Sequence, residues 1–145
     1  MMFFTGFSRF SSDIQKETKR NLKENKIQLD EMKSLTKEAA YILSSEADLF
    51  EFGKLLNTSW SLKRSLSSQI STDTIDILYN KAIQAGAIGG KLLGAGGGGF
   101  LLFFVPQEKR ASVKSSLEPL LQIPFSFESD GTRVAHYTDE KYNFA

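Results

Sequence analysis

The sequence predicts an α+β domain on the basis of three observations. Helical patterns of apolar residues fill the first two thirds of the chain, a glycine-rich loop follows them, and a continuous apolar strand comes directly after the loop. Apolar residues at every third or fourth position indicate helices that face a core, whereas a short unbroken apolar run is typical of a buried strand. Because the sequence contains no internal repeat and no flexible linker, we treat residues 1–145 as one domain.

Four helices are predicted before the glycine loop. The capping-box spacing of Ser12-Asp-Ile-Gln15 predicts the start of a polar helix. Apolar stripes over residues 29–43 and 49–60 predict the next two helices, and we assign Trp60 to the core. Glycine weakens a helix by about 1 kcal/mol relative to alanine. Gly53 within the third helix therefore indicates a close helix contact at that position.

A polar segment over residues 65–74 separates the third helix from the fourth. We interpret it as a connection that ends in a helix cap at Ser71 or Thr72, and a mobile lid beside a pocket is the alternative. The fourth helix carries the stripe that begins at Ile75, and Gly86 is a suitable residue to follow its end.

Strands are predicted at both ends of the chain. Phe3, Phe4, Phe7 and Phe10 indicate a strand or an anchored segment at the start. Because these side chains would seek apolar cover, we expect a homodimer or an aggregate at high concentration. The run Phe100–Val105 is suited to the middle of a sheet, and a helix follows it from about residue 107 to Pro119.

The last part of the chain reads as a hairpin. Ile123, Phe125 and Phe127 alternate with polar residues or proline, which predicts a half-buried strand. Asp130-Gly131 predicts a tight turn, and residues 133–137 would return as the partner strand. Residues 138–145 are expected to form a loose tail.

Composition excludes several classes of chemistry. The net charge is +1, so no global field favours nucleic acid or an anionic membrane, and we expect neither as a partner. The chain has no cysteine and a single histidine, His136, which excludes disulfides, thiolate nucleophiles and multi-histidine metal sites. No apolar run approaches the roughly 20 residues that span a bilayer, and no basic leader precedes the first apolar residues. The default expectation is a cytoplasmic protein that holds no metal of its own.

The glycine-rich stretch from Gly86 to Phe100 is the strongest feature, with eight glycines in fifteen residues. Without Cβ atoms, successive amides can adopt positive φ and converge on an anion such as phosphate, and Lys91 would add charge. The Walker pattern fails because Leu92 follows Gly90-Lys91 and Ala85 stands at the first glycine position. The dinucleotide-binding pattern G-x-G-x-x-G requires a strand before the loop and a helix after it. Here the loop follows a predicted helix and precedes a predicted strand, so this pattern fails as well. A tight packing bend is the alternative to an anion site.

The segment Lys91-Leu-Leu-Gly-Ala-Gly-Gly-Gly-Gly-Phe100 resembles the C-terminal glycine-rich motif of the GHMP small-molecule kinases. The stretch from Gly86 to Phe104 most resembles the sugar-kinase branch that acts on D-glycero-D-manno-heptose 7-phosphate. Thr5-Gly-Phe-Ser-Arg-Phe-Ser-Ser12 is also similar to a segment that precedes the C-terminal domain in that branch.

The resemblance implies a ferredoxin-like antiparallel sheet with several helices, and one half of a two-domain, ATP- and Mg²⁺-dependent kinase. The loop would shape the site for ATP and substrate phosphates, and Arg9 would contact the substrate or the other domain. Carried over to this chain, the phosphate loop comprises Lys91, Gly94, Ala95, Gly96, Gly97, Gly98 and Gly99. The ATP-holding P-x-x-x-G-L-x-S-S loop of the family's N-terminal domain is absent from the 145 residues. We therefore assign no catalytic residue to this chain and expect it to be inactive alone.

Three functions are compatible with the sequence. The first is the C-terminal part of a kinase that phosphorylates a heptose phosphate or a related sugar, with a galactokinase-like or mevalonate-kinase-like enzyme as a variant. The second is a non-catalytic α+β module that binds a small ligand or an anion. The third is an interaction module whose partner is a separately encoded N-terminal GHMP domain.

Overall fold

The computed structural model describes residues 1–7, 20–132 and 134. Within this part of the chain, the four strands are β1 (Met2–Phe4), β2 (Gly89–Leu92), β3 (Phe100–Phe104) and β4 (Leu121–Ile123). The α-helices are α1 (Lys26–Ser44), α2 (Leu49–Ser65), α3 (Asp73–Gln84) and α4 (Arg110–Ser116), the last preceded by a 3-10 turn at Gln107–Lys109.

The strands form one antiparallel sheet in the order β2–β3–β1–β4. Phe3 is paired with Leu101 on one side and with Gln122 on the other, so the phenylalanine-rich start of the chain is a central strand. The order and directions are those of a ferredoxin-like sheet with added helices, which confirms the predicted fold class. The expectation that residues 100–105 lie in the middle of the sheet is also confirmed.

The core lies on one face of the sheet. Phe3, Leu101 and Phe103 point to this face, and Trp60 and Tyr79 cover them from α2 and α3. Trp60 is 1% exposed, as the sequence predicts. Phe3 is also 1% exposed, so no second copy of the chain is needed to bury this side chain. The opposite face is less covered, and Phe100 there is 38% exposed.

The helix ends follow from local chemistry. The Asp48 carboxylate accepts from the Phe50 amide at the start of α2, and the Thr72 hydroxyl accepts from the Ile75 amide at the start of α3. Thr72 is thus the predicted cap. After α3, the Gly86 amide donates to Ile83 and the Ala87 amide donates to Ala82, which is a Schellman ending. The predicted role of Gly86 is confirmed, with φ at +112°.

One strand prediction was wrong, and one strand was not predicted. The strand predicted over residues 123–127 ends at Ile123 and begins two residues earlier, at Leu121. Pro124 has no amide hydrogen to donate, and β1 offers only three residues for pairing. The remaining strand of the sheet is β2, which the sequence analysis had counted as part of the glycine-rich stretch.

Gly53 was expected to mark a close contact between helices, and its close neighbours lie in and beside the sheet instead. A Cβ atom at position 53 would lie 2.9 Å from side-chain atoms of both Ile88 and Phe104. Helix α2 therefore packs against the edge of the sheet at β2, while α1 packs on α2. The stripe predicted for α1 is shifted near its end, since Ile42 is buried and Leu43 is exposed.

Several predictions fall outside the described residues. These are Arg9, Phe10, the capping box at 12–15, His136, the bulk of the return strand over 133–137 and the tail over 138–145. In the part of the chain that the structure describes, none of the helices combines the length and the hydropathy needed to cross a membrane.

Candidate functional site

The glycine loop connects β2 to β3 at one end of the sheet. The Leu93 amide donates to the Phe100 carbonyl over 2.8 Å and closes the hairpin, so residues 94–99 form its tip. Gly94 and Gly97 have φ values of +79° and +74°, in the left-handed region that favours glycine. The backbone path of this loop therefore requires glycine at both positions.

Part of the glycine content serves packing. A Cβ atom on Gly96 would lie 2.8 Å from the backbone of Ile70, in the segment between α2 and α3. A Cβ atom on Gly98 would lie 2.7 Å from the Phe7 carbonyl oxygen. By contrast, nothing lies within 4 Å of a Cβ built on Gly94 or Gly99. The loop is thus packed on one side and open at both ends.

The hydrogen bonds of the loop amides follow a different division. The Gly97 amide donates to the Ile70 carbonyl over 2.9 Å, and the Gly99 amide donates to Phe7 and to the Thr5 hydroxyl. Within the described residues, the amides of Gly94, Ala95, Gly96 and Gly98 donate no hydrogen bond. Amides left free in a glycine turn are the groups that bind anions. The open end that begins at Gly94 is therefore the part of the loop suited to a phosphate.

Thr5 anchors the far end of the loop. Its amide donates to the Gly99 carbonyl over 2.8 Å, and its hydroxyl lies 2.9 Å from the same oxygen and accepts from the Gly99 amide over 3.1 Å. Thr5 is buried and directly follows β1. The central strand of the sheet thereby fixes the position of Gly99.

Two lysines lie at the near end of the loop. Lys91 belongs to β2 and is half-buried. Lys63, in the last turn of α2, donates to the Gly94 carbonyl over 2.5 Å and lies 3.4 Å from the Leu92 carbonyl. Burial lowers the pKa of Lys63, and the charge on Lys91 lowers it further. The loop therefore begins at the Lys63 ammonium, and Lys91 lies three residues before Gly94 in β2.

A polar pocket of about 470 Å³ lies beside the segment that supports the loop. Arg64 donates to one oxygen of Asp76 over 2.5 Å, and the Ser71 hydroxyl donates to the other over 2.5 Å. The same segment buries Leu66, Ser67 and Ile70. Residues 66–72 thus connect α2 to α3, as expected, and their backbone packs against the glycine loop.

The helices and the glycine loop both lie in a part of the chain that matches a family of known proteins. Residues 43–119 match the family model described as GHMP kinases C terminal, and this range includes α2, α3, the glycine loop and α4. The chain belongs to the GHMP kinase family. It is 31% identical over 137 residues to a D-glycero-alpha-D-manno-heptose 7-phosphate kinase of Campylobacter jejuni, a match that covers 92% of this chain and 40% of that protein. It is 30% identical to a mevalonate kinase of Thermococcus onnurineus, over 79% of this chain and 36% of that protein.

Solved structures of GHMP kinases share the fold. The L. major mevalonate kinase, crystallised with R-mevalonate, superposes with a TM-score of 0.69 at 20% identity over 81% of this chain and 36% of the other. This likeness supports the α+β architecture alone. The chain spans about two fifths or less of the length of these relatives.

The GHMP motif predicted from the sequence is only partly one structural unit. Gly94 to Gly99 form the loop tip, whereas Lys91 precedes it within β2. Sequence reasoning missed Lys63 and Thr5. Lysine in the last turn of a helix is ordinarily explained by the helix dipole, so the position of Lys63 carried no signal of a loop contact.

Proposed function

We propose that this chain is the C-terminal part of an ATP-dependent sugar kinase that phosphorylates a heptose phosphate or a related sugar. The observation that carries the proposal is the glycine loop in a chain that belongs to the GHMP kinases. Within the described residues, the amides of Gly94, Ala95 and Gly96 donate no hydrogen bond, Lys63 contacts the Gly94 carbonyl, and Lys91 precedes the loop in β2. The name of the Campylobacter jejuni relative supports the choice of substrate class.

The chemistry that this arrangement supports is binding and orientation. Phosphoryl transfer depends on positioning the reacting groups and on stabilising charge at the transferred group. In this chain, free amides and two ammonium groups would hold negatively charged oxygens at the near end of the loop. Thr5 and Ile70 would keep the loop in place through the bonds at Gly99 and Gly97.

ATP and Mg²⁺ belong to the proposed complete enzyme. Mg²⁺ takes oxygen ligands such as carboxylates and phosphates. Among the described residues, no three acidic or histidine side chains cluster. We propose that an N-terminal GHMP domain outside these 145 residues supplies the nucleotide site, and that the chain alone has no appreciable turnover. The proposed setting is the cytoplasm, and homodimerisation stays a prediction.

The experiment that tests the proposal is a chimera. The region of the Campylobacter jejuni kinase that this chain does not cover is fused ahead of it, and ADP release is followed with ATP, Mg²⁺ and a panel of acceptors. The panel contains heptose 7-phosphate, galactose and mevalonate, after the relatives that carry those names. We expect turnover of about 1 per second or more with the heptose phosphate, as is usual for kinases, and none from the chain alone.

A variant of the glycine loop tests whether the turnover of the chimera depends on this loop. Gly97→Val places a branched side chain at a φ of +74°, and we expect it to reduce turnover sharply. Gly131→Val is the matched control, because Gly131 has a φ of +67° with nothing within 4 Å of its Cβ position. A folded chimera that is inactive with every acceptor, or one that Gly97→Val leaves unchanged, would overturn the proposal. Ligand binding by the chain with an inactive chimera would favour the non-catalytic module.

A further inference from the structure

We propose that Lys63 and Lys91 together form a binding site for a phosphate monoester at the near end of the glycine loop, with the sugar phosphate as its source. This inference rests on the proposed function and refines it, because it identifies which part of the substrate this chain binds. Lys63 is assigned no role by the family motif, and it comes from a helix that the motif does not include.

The first argument is the charge at this point of the molecule. The ion pairs in the described residues are Lys26–Asp30, Lys54–Glu51 and Arg64–Asp76, and they leave Lys63 and Lys91 without a carboxylate. Both lysines are half-buried. The Lys63 ammonium is partly removed from water and is repelled by the charge on Lys91, which is unfavourable unless an anion joins the two groups. A phosphate placed between them would relieve the repulsion.

The second argument is the number of free donors. An ammonium group has three N–H donors, and Lys63 directs at most two of them at the carbonyls of Leu92 and Gly94. One donor of Lys63 is left over, and the Lys91 side chain makes no hydrogen bond within the described residues. In the part of the chain that the structure describes, the neighbouring amides of Gly94 and Ala95 donate no hydrogen bond either. The donors with no partner thus belong to Lys63, which contacts Gly94, and to residues 91–95 of the chain, and such donors suit the acceptor oxygens of a phosphate monoester.

The third argument is that Lys63 is held in position. Its ammonium bridges the end of β2 and the first residue of the loop tip, and its helix α2 packs along β2. The charge is therefore fixed relative to the free amides before any ligand arrives. A site prepared in this way loses little conformational entropy on binding.

The test uses the 145-residue chain labelled with ¹³C at lysine ε-carbons, with sedoheptulose 7-phosphate, unphosphorylated sedoheptulose and ADP as probes. The Lys63 signal is assigned with Lys63→Arg. We expect sedoheptulose 7-phosphate to shift the signals of Lys63 and Lys91 and to raise the lowered pKa of Lys63, while sedoheptulose does neither. This measurement on the unmodified chain stands even if a variant fails to fold.

Variants then measure the contribution of each lysine. Lys63→Met and Lys91→Met should each weaken binding of sedoheptulose 7-phosphate by about tenfold or more, as expected for a hydrogen bond to a charged group. Lys54→Met is the matched control, since it removes the same charge from the same helix at an exposed ion pair. Equal weakening by all three variants would reveal only a general charge effect and would overturn the site.

The remaining outcomes separate the sources of the phosphate. Lysine-dependent binding of ADP without binding of sedoheptulose 7-phosphate would keep the phosphate site and overturn its assignment to the sugar. An unchanged pKa of Lys63 with both phosphates would overturn the site itself. An active chimera that tolerates Lys63→Met would leave the proposed function intact and remove this inference, so the two failures are distinct.

Discussion

Gly53 in α2 and Gly89 in β2 lie so close together that a Cβ atom on Gly89 would stand 2.0 Å from the Gly53 carbonyl oxygen. This approach lets α2 pack along the edge strand β2, with Tyr79 bonded to Asn57 in the helix and adjacent to Gly90 in the strand. It therefore determines where the helix brings Lys63 relative to the glycine loop.

Gly89→Ala is expected to destabilise the fold because the helix backbone must move to admit the methyl group. Overpacking of this kind costs about 1–3 kcal/mol, which urea unfolding would measure. Gly53→Ala should cost less, because its new neighbours are the movable side chains of Ile88 and Phe104 and alanine favours the helix. Equal effects of the two variants would contradict the close backbone contact at Gly89.

Gly96→Ala and Gly94→Ala separate packing from conformation within the loop. Both glycines have positive φ, which costs an L-residue about 1–2 kcal/mol. At Gly96 the methyl group would also meet the Ile70 backbone at 2.8 Å, whereas Gly94 has open space. Gly96→Ala should therefore lower the unfolding free energy more. The reverse order in urea or thermal unfolding would show that the loop is not packed on Ile70.

Thr5→Val tests the anchor at the far end of the loop. The valine keeps the branched shape and removes a hydroxyl that contacts both the amide and the carbonyl of Gly99. We expect a loss of about 1 kcal/mol and faster hydrogen exchange of the Gly99 amide. Thr5→Ser retains the hydroxyl and should keep most of the protection. Unchanged exchange at Gly99 in the valine variant would refute the anchor.

Tyr79 should make stability depend on alkaline pH. Burial raises the pKa of Tyr79 to about 12 from an ordinary value of 10.0. The folded state keeps this proton where the unfolded state has lost it, so the contribution to stability is complete below pH 10 and is lost as pH rises towards 12.

Tyr79→Phe removes the titrating group, and its unfolding free energy should fall less steeply between pH 10 and 12 than that of the unmodified chain. Tyr41→Phe is the control, because it makes the same substitution at a tyrosine that is 68% exposed. Urea unfolding at a series of pH values measures both slopes. Identical slopes for the Tyr79 variant and the unmodified chain would contradict the effect of burial.

The sequence by itself determined the elements whose signal is local. Apolar periodicity located the helices before Gly86 and assigned Trp60 to the core, and the unbroken run from Phe100 identified a central strand. The glycine motif identified the family because its residues are consecutive. Thr72 and Gly86 were predictable for the same reason, since caps depend on the few residues beside them.

Only the tertiary structure decided the features that depend on contacts between distant segments. Glycine has poor strand propensity. Gly89 and Gly90 nevertheless lie in β2, because the backbone of α2 and the ring of Phe103 leave no space there for a side chain. The glycine loop looked uniform, but Ile70 and Phe7 use part of it for packing and leave the end at Gly94 free. Lys63 reaches this end from a helix some thirty residues earlier, a distance in the chain over which local pattern carries no information.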